Sequence, residues 1–593
     1  MRVADYIIDF IYQKGTNTIF TIAGGGAMFL NDAVACHKKM KYVCNHHEQA
    51  SAMAAEAYAK TNNGIGAVMV TSGPGSTNAI TGLLEAWQNS IPVIFISSQA
   101  KKSQMTHFSD TPLRQFGVQE LDIIPIIKPL TKYSAYVEKP EDVRWQLEKA
   151  YEEMLTGRPG PVWLDIPPDV ASQIIDPLKL TGIKTNKISA HISRATDQEI
   201  NLVIELLSKS KKPVIVAGGG IKLAKAISEF RELISFLKIP VVVPEMGTDI
   251  LEFDHPEYMG QGGTKGDRTG NIVMQNSDLV LSIGSRLAVS FTGHEFDKYA
   301  PQAKKIAVDV DKKEHQKKTI KIDHLIISDA KYFIKELIKN KNKLLSKDSW
   351  LKKCQEIKNK YSPYLPEILD KNDQVNMYHA VNEISKYSHP GDFFITDAGV
   401  TAYVVVQTLK FKKNQRMILP GATLTMGYNL PAIIGIWAAR KNASIICITG
   451  DGSLQMNIHE LAIIGFHKIP AKIFVINNHG YLAIRTTQKN FFQGRLIGEG
   501  IKSGVPMPET QEIAKAYKIK YVGIKNYHEL SKVKQVLDSK EAVLCEIFCP
   551  EWQDILTVSS KKLADGKMVS LLIDDMAPFL PEKEMNKIRK ELS

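Results

Sequence analysis

The most constraining feature of the sequence is an acidic turn, GDGS, followed one apolar run later by NNHG. Asp451 follows the apolar run ASIICIT, and Asn477 and Asn478 end the run AKIFVINN, with room for a crossover helix at about 457–466. Because βαβ crossovers are right-handed, we expect both strands to end at one sheet edge, with Asp451 beside Asn478. A carboxylate, an amide oxygen and a backbone carbonyl, assigned to Gly480, form a hard oxygen site suited to Mg²⁺.

The residues next to Asp451 also suit a phosphate group. Gly452 lets the backbone approach a phosphate, Ser453 adds a hydroxyl, and the following helix offers its N-terminal amides. The alternative is a turn with an Asp cap before a helix, which GDGS alone would fit equally well. The spaced NNHG on the neighbouring strand favours the metal and diphosphate site.

Short apolar runs alternate with amphipathic segments along the chain, the pattern of parallel sheets covered by helices. Strand-like runs include GAVMVTS and PVIFISS in a first block, KKPVIVAGGG and SDLVLSIGS in a second, and GDFFITDAG and ASIICITGDG in a third. We therefore predict an α/β fold with three doubly wound parallel-sheet domains and a C-terminal tail. The predicted boundaries are 1–172, 190–340, 374–552 and 553–593.

Composition narrows the class of protein. The net charge of +12 suits phosphorylated substrates, although a lysine-rich solvated surface is the favoured interpretation. No basic block interleaves with aromatic residues, so nucleic acid is not an expected partner. The six cysteines form no CxxC pair, which argues against thiolate metal sites and disulfides and favours reduced thiols in the cytoplasm.

Two apolar segments must be compared with a signal peptide and with a membrane-spanning helix. The N-terminal MRVADYIIDFIYQKG has helical spacing and is interrupted by Asp5 and Asp9, unlike a signal peptide. The uncharged run 417–439 is long enough to span a bilayer, but it contains prolines and glycines and predicts a strand, a turn and a helix. We predict no membrane segment and a cytoplasmic protein.

GDGS and NNHG, with HHEQASAMAAEAYA, TSGPGSTNAITGL, GRPGPVWLDIP and TMGYNLPAIIG, resemble the thiamine-diphosphate enzymes of the acetohydroxyacid synthase branch. The resemblance extends to about residue 552. It implies pyrimidine-binding, middle and diphosphate-binding domains, with thiamine diphosphate and Mg²⁺ as cofactors. It also implies a homodimer or homotetramer, because two subunits contribute to each cofactor site.

The resemblance assigns roles at the two ends of the cofactor. Glu48 of HHEQAS matches the carboxylate that activates the pyrimidine, which needs a dry pocket where its pKa can rise. Alternatively, Glu48 is only an acid favoured by a helix N-terminus. Met426 matches the apolar residue that holds the cofactor bent, and the Leu424 backbone accepts its amino group. A lone methionine would otherwise be core filler.

Further residues are assigned by the same resemblance. Pro74 and Asn78 of TSGPGSTN match the wall of the pyrimidine pocket, and Gly25 is also assigned to the cofactor. Gln119 is expected to face the reacting substrate, or else to be a helix-cap or surface amide.

The middle block carries a possible flavin signature. AGGG with Gly218 and Gly219, GSR with Arg286, and DVD with Asp309 resemble a backbone cradle for FAD in a non-redox role. Alternatively, these glycines are only strand-end turns.

The acceptor is predicted from departures from the biosynthetic synthases. Their RFDDRVTG segment reads RLAVSFTG here, so Ser290 replaces an arginine that would pair with a carboxylate. The tryptophan associated with keto-acid choice is also missing from HGYLAIRTTQKNFF. We therefore predict that the acceptor is not a 2-keto acid.

RQFGVQELDIIPIIKP and the tail SSKKLADGKMVSLLIDDMAP resemble the carboligases of polysaccharide gene clusters, of the branched-sugar (yersiniose) type. This likeness implies transfer of a two-carbon unit from pyruvate to a carbonyl acceptor, a nucleotide-linked 4-keto-deoxysugar. Two alternatives remain: an acetolactate synthase catalytic subunit, and a non-catalytic scaffold that keeps the fold. The intact Glu48, Asp451 and Asn478 speak against the scaffold.

Overall fold

The computed structural model describes residues 1–183, 193–558, 560–562 and 568–592. Three six-stranded parallel sheets, each packed against helices, follow one another along the chain, and a short antiparallel ribbon lies near its end. The predicted α/β class is therefore confirmed. Each strand-like run quoted above forms a buried strand, as expected for parallel strands covered on both faces.

The first sheet is built from residues near the N-terminus. Its strands are β1 (Thr18–Thr21), β2 (Lys41–Cys44), β3 (Gly66–Val70), β4 (Val93–Ser98), β5 (Tyr133–Tyr136) and β6 (Val162–Ile166). Its helices are α1 (Val3–Gln13), α2 (Met28–Cys36), α3 (Glu48–Asn62), α4 (Pro74–Asn78), α5 (Ile80–Asn89), α6 (Ile124–Ile127), α7 (Val143–Leu155) and α8 (Pro168–Ala171). The strand order is β2-β1-β3-β4-β6-β5.

The second sheet forms the middle of the chain. Its strands are β7 (Pro213–Ala217), β8 (Val241–Val243), β9 (Tyr258–Gln261), β10 (Leu279–Ile283), β11 (Lys304–Asp309) and β12 (His324–Ile327). Its helices are α9 (Asp197–Lys209), α10 (Gly220–Leu223), α11 (Ile227–Leu237), α12 (Arg268–Gln275), α13 (Val289–Thr292), α14 (Ala330–Lys339) and α15 (Asp348–Tyr361). The order is β12-β11-β10-β7-β8-β9, with α15 packed on the same core.

The third sheet precedes the tail. Its strands are β13 (Phe393–Ile395), β14 (Arg416–Ile418), β15 (Ile445–Gly450), β16 (Ala471–Asn477), β17 (Lys520–Ile524) and β18 (Val543–Phe548). Its helices are α16 (Met377–Tyr387), α17 (Gly399–Thr408), α18 (Asn429–Ala439), α19 (Asp451–Gln455), α20 (Leu461–Phe466), α21 (Leu482–Phe492), α22 (Thr510–Ala516) and α23 (Lys532–Leu537). The tail adds β19 (Ser560–Lys562), β20 (Met568–Ser570) and α24 (Glu582–Leu592).

The third sheet repeats the topology of the first. Its order, β14-β13-β15-β16-β18-β17, is that of the first sheet with each strand replaced by its counterpart. One detail differs from the sequence-based expectations, and another agrees with them. The crossover helix expected at about 457–466 is split into a 3-10 turn (Ile458–Glu460) and α20. The apolar run 417–439 forms the end of β14, a turn and α18, as predicted.

No helix among the described residues has the length and apolar character needed to cross a bilayer.

Helices α3 and α18 pack against each other and join the first and third sheets. α3 is lined with small buried residues, chiefly alanines, and α18 has a glycine at the contact, which lets the two backbones approach closely. At Gly435 a Cβ atom would lie 2.2 Å from the carbonyl oxygen of Ala54 and 3.0 Å from the amide nitrogen of Tyr58. Any side chain at this position would force the helices apart.

We expect Gly435→Ala to lower the free energy of unfolding by about 2 kcal/mol, because the added methyl overpacks a backbone contact. The loss should appear despite the better helix propensity of alanine. Urea unfolding followed by circular dichroism measures it. Gly64→Ala is the control, since a Cβ there meets nothing closer than 3.8 Å. Equal midpoints for the two variants would contradict this account of the contact.

Candidate active site

The carboxyl ends of β15 and β16 bring the predicted metal residues together. The two strands pair in register, with Gly450 opposite Ile476. Asp451 accepts hydrogen bonds from the Gly480 amide (2.9 Å) and the Gly452 amide (2.7 Å). Burial raises the pKa of Asp451 to about 6, against the lowering effect of these amides.

The NNHG turn is held from behind by an arginine. Arg485 donates to the carbonyl oxygens of Asn478 (3.3 Å) and His479 (3.0 Å) and pairs with Glu499 at 2.5 Å. Gly480 has a φ of 131°, and a Cβ there would lie 1.9 Å from the Glu499 carbonyl oxygen, so only glycine fits. The turn is therefore rigid. Sequence reasoning missed Arg485, although its place three residues into α21 keeps it within reach of the turn.

The donor set at this edge fits a metal-bound diphosphate. The Asp451 carboxylate and the amide and carbonyl oxygens of the turn are hard ligands of the kind Mg²⁺ prefers. Asn478 is 3% exposed, and its Nδ2 has no hydrogen-bond partner among the described residues. Such a buried donor needs a partner, and an anionic oxygen would supply one.

Asp397, which sequence reasoning missed, connects this edge to the Met426 loop. It follows β13, accepts a hydrogen bond from the Gly427 amide at 2.9 Å, and accepts another from the Ser453 hydroxyl. Burial raises the pKa of Asp397 to about 6. Asp397 therefore holds the residue after Met426 against the diphosphate edge. The only sequence signal was its place at the end of the strand run GDFFITDAG.

Leu424 and Met426 lie in the partly exposed turn between β14 and α18. Leu424 has a φ of 47°, in the left-handed region. Asn457 donates to the Gly427 carbonyl oxygen at 2.8 Å, which fixes the end of the turn. The two predicted cofactor residues thus sit on a loop with defined anchors.

Glu48 starts α3 and faces the turn between β3 and α4. Asn78 donates to its Oε2 at 3.0 Å, and a Cβ at Gly75 would lie 3.5 Å from its Oε1. Gln119 has a φ of 55°, and its carbonyl oxygen is 2.5 Å from where a Cβ of Gly73 would be. The structure therefore groups Glu48, Asn78 and Gln119 around this turn.

This second set of residues is open to solvent. Pro74, Asn78 and Gln119 are exposed, and Glu48 is only partly buried. Gly25 opens a short 3-10 turn, and a Cβ there would meet nothing within 4 Å. The dry pocket expected for Glu48 is not formed by these residues alone.

Glu460, also missed, joins the two sets within one chain. Its carboxylate accepts hydrogen bonds from Asn45 Nδ2 and from the His46 amide, both at 2.8 Å. The 3-10 turn that carries Glu460 follows the GDGS segment, and His46 lies two residues before Glu48. Its partners are remote in sequence, so no local pattern could have indicated it.

Three family descriptions match the chain. They are "Thiamine pyrophosphate enzyme, N-terminal TPP binding domain" over residues 1–126, "central domain" over 200–337, and "C-terminal TPP binding domain" over 397–547. The chain belongs to the thiamine pyrophosphate enzyme family. It is a thiamine-diphosphate-dependent enzyme that forms carbon–carbon bonds, so the scaffold alternative loses its support.

Relatives of similar length indicate which branch of the family this chain resembles. The acetolactate synthase large subunit of Lactococcus lactis is 30% identical, with 96% of both chains covered. That of Cyanidium caldarium is 31% identical over 95% of this chain and 96% of its own. The Escherichia coli isozyme 3 large subunit is 30% identical over 90% and 92% respectively. This thiamine pyrophosphate enzyme is therefore of the acetolactate synthase-like kind.

The residues suggested for a flavin are only partly grouped. Gly219, Arg286 and Asp309 line a cavity of about 1100 Å³ between the domains. Gly218 instead permits close packing of two loops, since a Cβ there would lie 2.1 Å from the Gly284 carbonyl oxygen. Ser290, which replaces the arginine of the synthases, is exposed and lines the same cavity.

We expect Asp451→Asn to weaken Mg²⁺-dependent binding of thiamine diphosphate about a hundredfold or more, because a buried cation would lose its charged partner. Isothermal titration calorimetry measures this. Asp538→Asn is the control, because Asp538 pairs with Lys534 (2.8 Å) on the surface of the same domain. Unchanged affinity in Asp451→Asn would exclude Asp451 as the metal ligand.

Proposed function

We propose that this enzyme decarboxylates pyruvate and joins the remaining two-carbon unit to a carbonyl acceptor. The bond between the carboxylate and keto carbons breaks and carbon dioxide leaves. A new bond then forms to the acceptor's carbonyl carbon, whose oxygen takes up a proton. The observation that carries the proposal is the rigid, buried edge of Asp451, Asn478 and Gly480, which fits a metal-bound diphosphate.

Thiamine diphosphate, when bound, supplies the carbon nucleophile and the electron sink. In the proposal Asp451, the side-chain oxygen of Asn478 and the carbonyl of Gly480 hold Mg²⁺, and Ser453 and Gly452 lie at the phosphates. Met426 would support the cofactor, and the Leu424 carbonyl would accept a hydrogen bond from the cofactor's amino group. The bonds of Asp397 to Gly427 and Ser453 keep these two groups of residues in fixed relation.

At the other end, Glu48 holds a proton for the pyrimidine, with Asn78 donating to its second oxygen at 3.0 Å. Pro74, Gly25 and Gln119 complete this wall. Because Glu48 is partly exposed in one chain, a second subunit that covers it would exclude water from this end of the site. This supports a homodimer, or a homotetramer built from such dimers.

The better supported acceptor is a second 2-keto acid. The relatives described above are named acetolactate synthase large subunits and match nearly the full length of this chain. The expectation of a non-acidic acceptor depended on Ser290, on the missing tryptophan and on a likeness of short segments to the carboligases. These local features are a weaker guide than similarity over the whole chain, so acetolactate synthesis is the first candidate.

A nucleotide-linked 4-keto-deoxysugar, as used for cell-surface polysaccharides, is the second candidate acceptor. It is favoured by Ser290, an exposed hydroxyl on the wall of the cavity of about 1100 Å³. Serine cannot form the bidentate pair by which arginine selects a carboxylate.

We also propose FAD in a structural, non-redox role. Read from its other edge, the middle sheet has the doubly wound order in which ligands bind where the order reverses, here between β7 and β10. Gly219 follows β7, and Arg286 follows β10, so both lie at this position. With Asp309 they line the cavity of about 1100 Å³, which fits a dinucleotide in size.

We expect the purified enzyme with pyruvate and Mg²⁺-thiamine diphosphate to form acetolactate, detected by mass spectrometry. Addition of nucleotide-linked 4-keto sugars tests the second candidate, which predicts a sugar heavier by the two-carbon unit. Acetolactate from pyruvate alone at a useful rate would exclude the sugar as the required acceptor.

The same assay can be applied to Glu48→Gln, a variant that lacks the carboxyl group proposed to hold the proton. It should lower carbon dioxide release at least about a hundredfold. Glu141→Gln, an exposed glutamate of the same domain, is its control. Full activity of Glu48→Gln would contradict the role given to this residue.

We expect the protein as purified to show the visible absorbance of a flavin and to release FAD on heat denaturation, identified by its mass. Arg286→Ala should lower the FAD content. Arg144→Ala, which removes a surface ion pair to Glu148 (2.9 Å), should not. If the protein is colourless and takes up no added FAD, the FAD proposal is wrong and the glycines only form turns at the strand ends.

A further inference from the structure

Lys265 lies between two cavities, and the proposed function gives its positive charge no role. It lines the cavity of about 1100 Å³ and a smaller one of about 160 Å³ toward the C-terminal segment. Its ammonium lies 3.7 Å from the centroid of the Tyr403 ring. Among the described residues, no hydrogen bond or ion pair engages this ammonium. Burial lowers the pKa of Lys265 to about 8.

The backbone around Lys265 is fixed by hydrogen bonds to two other elements. Gln407 of α17 donates to the carbonyl oxygens of Lys265 (3.0 Å) and Gly266 (3.1 Å). The Thr264 amide donates to the Ser290 carbonyl oxygen at 2.8 Å. Lys265 is therefore held on the loop next to the position where the arginine of the synthases is missing.

The charges that face Lys265 leave it available to an anion. Glu245 on the same cavity wall acts on it electrostatically but forms no ion pair with it within the described structure, and burial raises the pKa of Glu245 to about 7. Lys60, which also acts on Glu245, is paired with Glu56 at 2.5 Å. Lys265 is half-buried, so its charge is partly desolvated without a partner, and a bound anion would offset this cost.

Lys265 also lies near the proposed thiamine site. Tyr403, which its ammonium contacts, is on α17, and this helix begins just after Asp397, the residue that holds Gly427. The four helical steps from Gly399 to Tyr403 correspond to a rise of about 6 Å, the scale of a small substrate. Leu424 lines the same large cavity as Lys265.

We propose that Lys265 binds the acidic group of the acceptor substrate, a carboxylate or a phosphate. It would supply from a neighbouring loop the positive charge that Ser290 lacks. A lysine is a compact point charge that suits either group, whereas arginine favours bidentate pairing. A 2-keto acid offers the carboxylate and a nucleotide-linked sugar the phosphate. This inference rests on the proposed function.

The test compares Lys265→Met, which removes the charge at similar volume, with Lys265→Arg, which keeps it. Lys298→Met is the control, since Lys298 lines the smaller cavity but pairs with Glu295 at 3.1 Å. Carbon dioxide from carboxyl-labelled pyruvate in a single turnover reports the donor step. The fraction of two-carbon units found in the ligated product, as acceptor concentration rises, reports the acceptor step.

We expect Lys265→Met to release carbon dioxide at the wild-type rate. The acceptor concentration needed for half-maximal ligation should rise at least about tenfold. Lys265→Arg and Lys298→Met should stay close to the wild type. Pyruvate and a nucleotide-linked 4-keto sugar, supplied in separate arms, distinguish a carboxylate from a phosphate as the group bound. An unchanged acceptor requirement in Lys265→Met would overturn the inference.

The pH dependence gives a second measurement that does not depend on the methionine variant. The wild-type acceptor requirement should rise as the pH passes about 8, because Lys265 loses its proton. Ionisation of Glu245 near pH 7 acts in the same direction, by repelling the anion. Lys265→Arg should lose the step near 8 and keep the one near 7. If the pH profile of Lys265→Arg is identical to that of the wild type, the inference is also overturned.

Failure of the proposed function is distinguishable from failure of this inference. If wild-type protein releases no carbon dioxide from pyruvate, the donor assignment is wrong, whatever Lys265 does. If it releases carbon dioxide and the Lys265 variants ligate like the wild type in both arms, only the inference is wrong.

Discussion

The packing of α3 on α18 is the contact on which the catalytic geometry depends. α3 begins with Glu48, and α18 follows the loop that carries Met426, so one helix pair sets the positions of both. The buried Glu56 carboxylate accepts from Tyr428 and pairs with Lys60, each at 2.5 Å. A buried charge is tolerated only with such partners, which makes this crossing hard to rearrange.

The two half-sites derive from sheets of the same topology but differ in how complete they are. The diphosphate edge is closed by buried hydrogen bonds around Asp451 and Asp397, and it needs no other chain to take its shape. The Glu48 edge is partly exposed, with Pro74 and Asn78 at the surface. Such a division suits a cofactor that is anchored by its phosphates in one subunit and activated by a carboxylate of another.

Local sequence patterns predict the elements whose partners are one βαβ unit away. Asp451 and Asn478 could be placed together because strand ends and crossover handedness fix their relation. Glu460 could not, because its partners Asn45 and His46 lie in another domain. At Gly218 the missing side chain allows close packing against Gly284, while the sequence pattern predicts a glycine that faces a ligand. Pattern alone does not distinguish these two uses of glycine.

The charge of the acceptor is also hard to predict from local sequence. The replacement of an arginine by Ser290 removes one charge from one loop, and by itself it indicates a neutral acceptor. The cavity wall, however, is also built from the loop of Lys265 and from α17. Gln407 links this loop to α17, and the Thr264 amide links it to Ser290. A positive charge on a neighbouring element can act on the same volume. In our proposal, acceptor specificity depends on the summed charge around the cavity, which is a property of the fold.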